Sequence, residues 1–315
     1  MSYTIHRPKS HEAWLELRTG GIGSSEVGTI LGLNPYETPY QLWRKKKGLD
    51  APAQENFAMR AGHYLEDAVS RFYADATGNE IIKSSAGDWL AVDNDRPHLR
   101  VSPDRTCWKQ GMAKRAANKG IVECKTTQRE IDAENLPQQW FCQLQYQLGV
   151  MGLNWGALAW LTAGREFGYR DLTFDKDFYD WMTEEITRFW VDYIIGDNEP
   201  LAINVADVLL KSPRHVPGKM LTVDDDIIAE LSELKMLREE MSALDQRKKA
   251  IEEAIKMTMG DAEALVLPDT NDILCTWRAS KERTKFDEKR FAKEHPDMYA
   301  QYTKTTAGSR TFILK

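Results

Sequence analysis

Asp104, Glu123 and Lys125 are the side chains of this 315-residue sequence whose types and spacing best suit metal-assisted chemistry. Glu123 and Lys125 stand two apart in a predicted strand over residues 121–125, so they project from the same face. A predicted strand over residues 99–101 leads into Asp104, and pairing of the two strands would place Asp104 beside Glu123. Two carboxylates suit Mg²⁺, a hard ion that binds oxygen and keeps several waters, and a nearby ammonium would orient a water and lower its pKa.

Two interpretations of this stretch stay open from the residues alone. In the first, the Pro-Asp and Glu-x-Lys pattern belongs to a metal-dependent phosphodiesterase. In the second, the two strands form a salt-bridged hairpin with solvated charges, because a Pro-Asp followed by a Glu-x-Lys is common in unrelated proteins.

A second group of residues is suited to holding an anion. Ser24 and Ser25 open a predicted apolar helix that runs to Leu31. A serine there satisfies free backbone N–H groups, and a helix N-terminus favours negative charge. With Arg18 just upstream, the segment is a candidate phosphate cradle. An ordinary capped helix with a surface arginine is the alternative, and the spacing by itself favours that alternative.

Polar side chains on two predicted helices have the same two interpretations: they are exposed to solvent, or they belong to a site. Glu66 lies two turns into the helix predicted over residues 56–78, and it is either solvent-facing or a further metal ligand. Gln143 and Gln147 lie one turn apart on the helix predicted over residues 137–151. They belong either to a wet helix face or to the surroundings of a metal-bound phosphate or a catalytic carboxylate.

Composition and charge are those of a globular chain, with 42% hydrophobic residues and a formal net charge of −6. No apolar run approaches the roughly 20 residues that a membrane span needs, and the polar N-terminal segment does not resemble a signal peptide. The four cysteines are scattered without a C-x-x-C pair, which predicts a reducing cytoplasm and no zinc or iron–sulfur site.

The negative net charge does not exclude a nucleic-acid partner, because the local distribution of charge sets the field that a phosphate backbone meets. Residues 105–119 carry five basic and no acidic side chains, and residues 44–47 form a second basic cluster. Solvated loops are the alternative interpretation of both clusters.

The order of predicted elements is that of an α/β (α+β) domain with a mixed sheet flanked by helices. We predict four segments: this domain, a proline-bearing connector, a coiled-coil-like helical segment and a small basic α+β tail, over residues 1–200, 201–222, 223–260 and 261–315. In the helical segment apolar residues recur every three or four positions, with Lys248 interrupting the seam. In the tail we expect a helix over residues 287–301 and a closing strand over residues 311–314.

Five motifs, in order, resemble those of the lambda exonuclease and YqaJ-type viral recombinase nucleases, a branch of the PD-(D/E)xK superfamily. The resemblance covers residues 12 to about 195. The motifs are Trp14 to Arg18 with Gly21 to Glu26, Gly62 to Glu66, Ser102 to Asp104, Glu123 to Lys125, and Gln143 to Tyr146. One such match is weak, whereas five in this order favour the nuclease interpretation over the hairpin.

The resemblance implies a role at the metal for each matching residue. Asp104 and Glu123 would bind Mg²⁺ or Mn²⁺, as two ions, with the backbone carbonyl of Cys124 and the side chain of Glu66 as further ligands. Lys125 would position and activate the attacking water, and a glutamine, Gln143, would support the site.

The resemblance also implies a DNA-binding pocket for the 5′-phosphate, made by Arg18, Ser24, Ser25 and Ser102. Gly23 departs from the family pattern, which has a hydroxyl residue at that point of the pocket. The implied restriction-endonuclease-like domain would carry this pocket and the metal site together.

The activity implied is digestion of one strand of linear double-stranded DNA from its 5′ end, in the cytoplasm of a bacterial host. The partners implied are DNA ends, a phage single-strand annealing protein and two further copies in a homotrimer. An endonuclease or single-strand nuclease with the same site is one alternative. A recombination scaffold acting through residues 200–315, which have no counterpart in the compact family member, is another.

Overall fold

The computed structural model describes residues 2–50, 56–82, 89–306 and 308–315. The chain divides into two compact units, Met1–Lys211 and Ser212–Lys315. The finer division into four segments, with boundaries near residues 200, 222 and 260, stays a prediction. No helix in the described ranges is long and apolar enough to cross a membrane.

The described residues form eleven strands in three sheets. The strands are β1 (Tyr3–His6), β2 (Ile22–Gly23), β3 (Glu80–Ile82), β4 (Leu90–Asp93), β5 (Leu99–Val101), β6 (Arg105–Trp108), β7 (Lys119–Thr127), β8 (Trp155–Thr162), β9 (Glu166–Thr173), β10 (Ala264–Val266) and β11 (Ile273–Thr276). The first unit holds a four-stranded sheet, β1-β4-β5-β2, and a five-stranded sheet, β3-β6-β7-β8-β9. The pairs β2–β5 and β7–β8 are parallel and their neighbours antiparallel. Both sheets are therefore mixed, and the predicted α/β class is confirmed.

Ten α-helices accompany the sheets in the part of the chain that is described. They are α1 (His11–Thr19), α2 (Val27–Ile30), α3 (Pro39–Lys46), α4 (Phe57–Thr77), α5 (Gln138–Val150), α6 (Lys176–Phe189), α7 (Val205–Lys211), α8 (Asp225–Met259), α9 (Glu288–Glu294) and α10 (Pro296–Tyr302). Local signals set their ends. In α4 the Asn56 side chain caps the backbone N–H of Met59, and Gly78 ends the helix with a φ of 71°.

The helix α5 lies at the centre of the first unit. Leu144, Tyr146 and Leu148 are fully buried on it, in one apolar cluster with residues of β2, β7, β8 and α6. Tyr146 also donates a hydrogen bond to the Ile22 carbonyl of β2 at 2.8 Å. Because α5 touches both sheets, its remaining face can present side chains to the space between them.

The strand that pairs with β7 differs from the expected one. β5 pairs with β4 and β2, whereas β7 pairs with β6, which begins at Arg105 in a stretch predicted to be loop. The chain bends at Pro103, whose fixed φ and missing N–H interrupt a strand. Asp104 nevertheless lies beside Glu123, because it immediately precedes the strand that forms the hairpin with β7.

The second unit contains α8, a single helix of 35 residues, and the antiparallel pair β10–β11. The helix predicted over residues 287–301 is two helices, α9 and α10, because Pro296 has no N–H to continue the first one. Residues 311–314, all described, do not form the predicted closing strand.

The close approach of α5 to α6 gives a test of the core. A Cβ at Gly149 would lie 2.2 Å from the ring of Tyr179. We expect Gly149→Ala to lower the free energy of unfolding by about 1–3 kcal/mol in urea titrations, because a packed core resists added volume. Gly62→Ala is the control: its Cβ would have no neighbour nearer than 3.9 Å, and we expect a gain of about 0.5–1 kcal/mol. Equal stabilities of the two variants would contradict this packing.

Candidate active site

Asp104 is joined to β7 by a backbone hydrogen bond. Its Oδ2 accepts from the N–H of Cys124 at 2.8 Å. Cys124 follows Glu123 in β7, so the bond holds the Asp104 carboxylate next to Glu123. The Cys124 side chain is buried and free of any disulfide, and it packs among apolar residues of the sheet.

Glu123 is the buried centre of the site. Its side chain is 2% exposed, and both carboxylate oxygens accept hydrogen bonds. Oε1 accepts from Lys125 Nζ at 2.7 Å and from the amide of Gln143, while Oε2 accepts from Gln147 Nε2 at 2.8 Å. Gln143 also accepts from Lys125 Nζ at 2.8 Å through its Oε1. Glu123, Lys125 and Gln143 thus form a closed ring of hydrogen bonds.

The charges of this group do not balance among themselves. Burial, then the neighbouring charges of Glu123 and Glu66, hold the pKa of Asp104 well above its ordinary value. Burial opposes the charge of Lys125, yet Glu123 and Asp104 raise its pKa overall, so it stays an ammonium. Lys125 and the Arg105 guanidinium, 3.8 Å from Glu66, are two positive charges against the three carboxylates, so the site is suited to further positive charge.

Glu66 lies on α4 at the side of a cleft next to Lys125. The cleft has a volume of about 210 Å³ and is lined by Gly62, His63, Glu66, Val69, Cys124, Lys125 and Thr126. Burial raises the pKa of Glu66, and the charge of Glu123 raises it further, while the charge of the nearby Arg105 lowers it. The Glu66 side chain is 25% exposed and lies 3.8 Å from Arg105, so it is half-buried at the edge of the site, and its role as a metal ligand stays a prediction.

The donor set fits a hydrated hard cation better than an all-protein cage. Within the described ranges, no three His, Cys, Asp or Glu side chains are grouped so that they hold a metal ion. Mg²⁺ does not require three, because it is held by one or two carboxylates and keeps several waters or substrate oxygens. Asp104 and Glu123 supply two carboxylates, and their unbalanced charge is chemically suited to a divalent ion.

The candidate anion cradle comprises Arg18 in the last turn of α1 together with Ser24 and Ser25 in the short 3₁₀ turn Ser24–Glu26, which follows β2. Arg18 reaches the exposed Ser25, with Nη2 3.4 Å from Oγ, and its guanidinium lies 4.6 Å from the centre of the Trp14 ring. Ser24 is buried and accepts from Gln147 Nε2 at 3.1 Å. Arg18 and Ser25 are therefore together, whereas the Ser24 hydroxyl is turned toward Gln147, and their role as an anion cradle stays a prediction.

Ser102 has a different environment from the other predicted pocket residues. Its hydroxyl donates to the backbone carbonyl of Trp89 at 2.7 Å, and Trp14 Nε1 donates to the same carbonyl at 3.2 Å. Ser102 is thus linked to the cradle through Trp14 rather than by a direct bond to Arg18.

Gln147 connects the cradle to the carboxylates. One amide nitrogen donates both to Ser24 and to Glu123, and the side chain is fully buried. Its Oε1 has no hydrogen-bond partner among the described atoms, which marks it for a water or a ligand group. The wet-face alternative is wrong for Gln147, and its spacing of four from Gln143 was the signal for this role.

Lys46 also supports the cradle residues. From the sequence it belongs to the basic cluster over residues 44–47, which could equally be a group of solvated charges. Its side chain is only 6% exposed, and its Nζ donates to the carbonyl of Gly21 at 2.6 Å and contacts Glu26 Oε2 at 2.8 Å. Glu26 in turn accepts from the N–H of Gly23 at 2.8 Å. The available signal was that Lys46 shares the buried face of α3 with Leu42 and Trp43.

Residues 13–154 match the YqaJ-like viral recombinase domain family. An uncharacterized protein YqaJ of Bacillus subtilis is 27% identical over 310 residues, covering 94% of this chain and 92% of that protein. The motif resemblance is confirmed, and residues 13–154 are similar to the YqaJ-like viral recombinase domain.

Two solved structures are similar in part. An alkaline exonuclease from Laribacter hongkongensis has 15% identity and a TM-score of 0.46, covering 59% of this chain and 93% of that one. A phage-related exonuclease from Haemophilus somnus 129PT has 10% identity and a TM-score of 0.40, covering 56% of this chain and 96% of that one.

The buried ammonium of Lys46 gives a stability test. Lys46→Met removes the donor to Gly21 and the partner of Glu26, so we expect unfolding to become easier by about 1.5–3 kcal/mol in urea titrations. Lys45→Met is the control, because Lys45 is half-exposed where it pairs with Glu37, and we expect a change within about 0.5 kcal/mol. Equal effects of the two variants would contradict the structural role of Lys46.

The raised pKa of Asp104 gives a test by pH. The pKa of the Asp104 carboxyl is higher in the folded chain than in the unfolded chain. As pH rises through the interval between these two pKa values, ionisation of the carboxyl lowers the free energy of unfolding, so its charge is destabilising at pH 8. We expect Asp104→Asn to stabilise the metal-free protein at pH 8 by at least about 1 kcal/mol, with the gain shrinking as pH falls to 5. Thermal unfolding in a chelator across this pH range measures it, and a loss of stability at pH 8 would contradict the charge imbalance.

Proposed function

We propose that this chain, through its YqaJ-like viral recombinase domain, is a metal-dependent deoxyribonuclease that degrades one strand of linear duplex DNA from the 5′ end. The observation that carries the proposal is the hydrogen-bonded set of Asp104, Glu123, Lys125 and Gln143, which Gln147 connects to the anion cradle. A solvated hairpin has no need for buried carboxylates that repel each other. A hydrolytic site that binds cations and phosphates needs such carboxylates as ligands for the cation.

Asp104 and Glu123 are the residues we assign to the metal, Mg²⁺ or Mn²⁺, with the Cys124 carbonyl beside them. Glu66, across the cleft, is assigned to a second ion. Such ions supply Lewis-acid stabilisation of phosphate oxygens and lower the pKa of a bound water. The protein contributes the fixed positions of the carboxylates, through the Cys124 N–H on one and two glutamine amides on the other.

Lys125 acts in this proposal as a charged donor. Burial opposes its charge, but Glu123 and Asp104 raise its pKa overall, so it is an ammonium in the metal-free chain. This ammonium orients the attacking water and stabilises negative charge as that charge develops on the oxygens. Gln143 holds Lys125 at this point by accepting from its Nζ.

The cradle supplies the polarity of the reaction. Arg18, Ser24 and Ser25 are assigned to the 5′-phosphate, and Arg18 is suited to bidentate phosphate contacts. Gln147 fixes the cradle relative to the carboxylates, so the bond that is cut lies a set distance from the strand end. Readout of base edges is not required for such a reaction.

The cellular role we assign is preparation of 3′ single strands for phage-type recombination. The partner expected from the resemblance is a single-strand annealing protein, and the expected assembly is a homotrimer. The free thiols of Cys107, Cys124, Cys142 and Cys275 are consistent with the reducing cytoplasm of a bacterial host.

The direct test is hydrolysis of matched substrates in Mg²⁺. We expect loss of 5′-phosphorylated linear duplex, slower loss of the 5′-hydroxyl form, and none of a closed circle. Asp104→Asn and Lys125→Met should lower the rate at least about 100-fold, because each removes a charged group from the reaction centre. Lys176→Met, which removes an exposed lysine paired with Asp180, is the control and should retain activity. Cleavage of the closed circle would replace the exonuclease with an endonuclease, and no hydrolysis of any duplex would contradict the proposal.

Gln147 gives a test of the link between the two subsites. We expect Gln147→Met to lower the rate about 10- to 100-fold and to reduce the preference for a 5′-phosphate, because it frees both Ser24 and Glu123. Gln145→Met is the matched control: Gln145 is equally buried on α5 but bonds the backbone at Thr173 and Asp175. Its variant should lose stability and keep the phosphate preference. The same preference in both variants would contradict the link.

A further inference from the structure

The charge of the chain is unevenly distributed. Residues 277–315 carry ten Lys or Arg and five Asp or Glu, a net charge of +5, in a chain whose net charge is −6. A polyphosphate responds to the local field rather than to the total charge. Electrostatics therefore direct this tail, and not the chain as a whole, toward nucleic acid.

The first part of the tail, residues 277–290, is exposed and mostly irregular; we name it the basic tail segment. Residues 277–287, which the structure describes in full, form no helix or strand, and every side chain from 276 to 290 is exposed. Trp277 and Phe286 are 47% and 71% exposed. The Phe286 ring contacts Phe291 of α9, with ring centres 5.0 Å apart. Burial of large aromatic rings favours folding, so two rings that stay largely in solvent on one short segment indicate a surface that contacts something else.

The basic side chains between the two rings are available for a ligand. Arg278 pairs with Glu263 at 2.6 Å, and Arg290 pairs with Glu294 at 2.9 Å. For Lys281, Arg283 and Lys285, no ion pair within 4.0 Å occurs in the described parts of the chain. Three unpaired cations and one acidic residue, Glu282, thus lie between two exposed rings, and the stretch keeps a net positive charge.

We propose that the basic tail segment is a binding site for single-stranded DNA. Exposed aromatic rings stack on unpaired bases of any sequence, and interleaved cations follow the backbone phosphates. A duplex offers only its phosphates, because its base faces are already stacked, so a single strand uses both kinds of side chain. The inference rests on the proposed function only for the source of the strand, which is the 3′ strand that the nuclease leaves.

The aromatic half of the proposal is tested by equilibrium binding of the full chain in a chelator, which prevents hydrolysis. The probes are a fluorescent oligo-dT and a blunt duplex of equal length. We expect Trp277→Ala and Phe286→Ala each to weaken oligo-dT binding about fivefold or more and to leave duplex binding unchanged. Trp181→Ala is the matched control, because Trp181 is 49% exposed on α6 and outside the segment, and its binding should match that of the unaltered chain.

The charge half is tested by the salt dependence of the same binding. Replacing Lys281, Arg283 and Lys285 together by Gln should lower the slope of log K against log salt by about 2, because each contact to a single strand contributes about 0.7. The control replaces Arg247, Lys248 and Lys249 of α8 by Gln, an equal change of charge, and should leave the slope unchanged. Circular dichroism checks that all variants keep their helices.

The outcomes separate this inference from the proposed function. Oligo-dT binding that is unaffected by the aromatic variants would overturn it and assign the rings to a protein contact. Equal losses for oligo-dT and duplex would overturn it in favour of backbone charge alone. If the chain hydrolyses no DNA but binds oligo-dT through the basic tail segment, this inference is supported and the proposed nuclease is contradicted. If the chain hydrolyses DNA normally but its oligo-dT binding does not depend on the segment, the nuclease is supported and this inference is contradicted.

Discussion

Burial of the Glu123 carboxylate is the constraint on which the rest of the first unit depends. A charge at 2% exposure is unfavourable unless hydrogen bonds replace its lost hydration, and the chain supplies three donors from two elements, Lys125 on β7 and Gln143 and Gln147 on α5. These donors fix the distance between α5 and β7. The same requirement explains why α5, otherwise a core helix, carries buried amides: each amide replaces a hydration bond that the carboxylate lost on folding.

The second consequence of this constraint is coupling between subsites. The amide of Gln147 donates a hydrogen bond to Ser24, and the hydroxyl of the preceding residue, Tyr146, donates one to the Ile22 carbonyl. Helix α5 therefore holds the cradle and the carboxylates in place together. Lys46 secures the cradle from the other side through Gly21 and Glu26. The charge imbalance at Asp104 lowers the free energy of unfolding, and a bound cation would remove this effect. Functional sites often lower stability in this way.

Local patterns predicted most of the elements, the position of Glu123 and Lys125 on one side of β7, and the position of Asp104 beside this strand. They did not predict β6, because its four residues Arg105–Trp108 lie in a basic stretch whose strand character depends on pairing with β7. They left Lys46 within a basic cluster and Gln147 undecided between a wet helix face and the site, because the burial of both is decided by neighbours distant in sequence. Whether a polar side chain faces solvent or a site is a tertiary property, which depends here on the contacts with Glu26 and Glu123.

The central claim is that the Asp104–Glu123 pair exists to bind a divalent cation beside Lys125. The most direct measurement is anomalous diffraction from crystals of the full chain soaked in Mn²⁺ as a stand-in for Mg²⁺. We predict an anomalous peak within coordination distance of both carboxylates, with the Cys124 carbonyl turned toward it and Lys125 still held by Gln143. A map with no peak there, at Mn²⁺ concentrations that fill other carboxylate sites, would contradict the account.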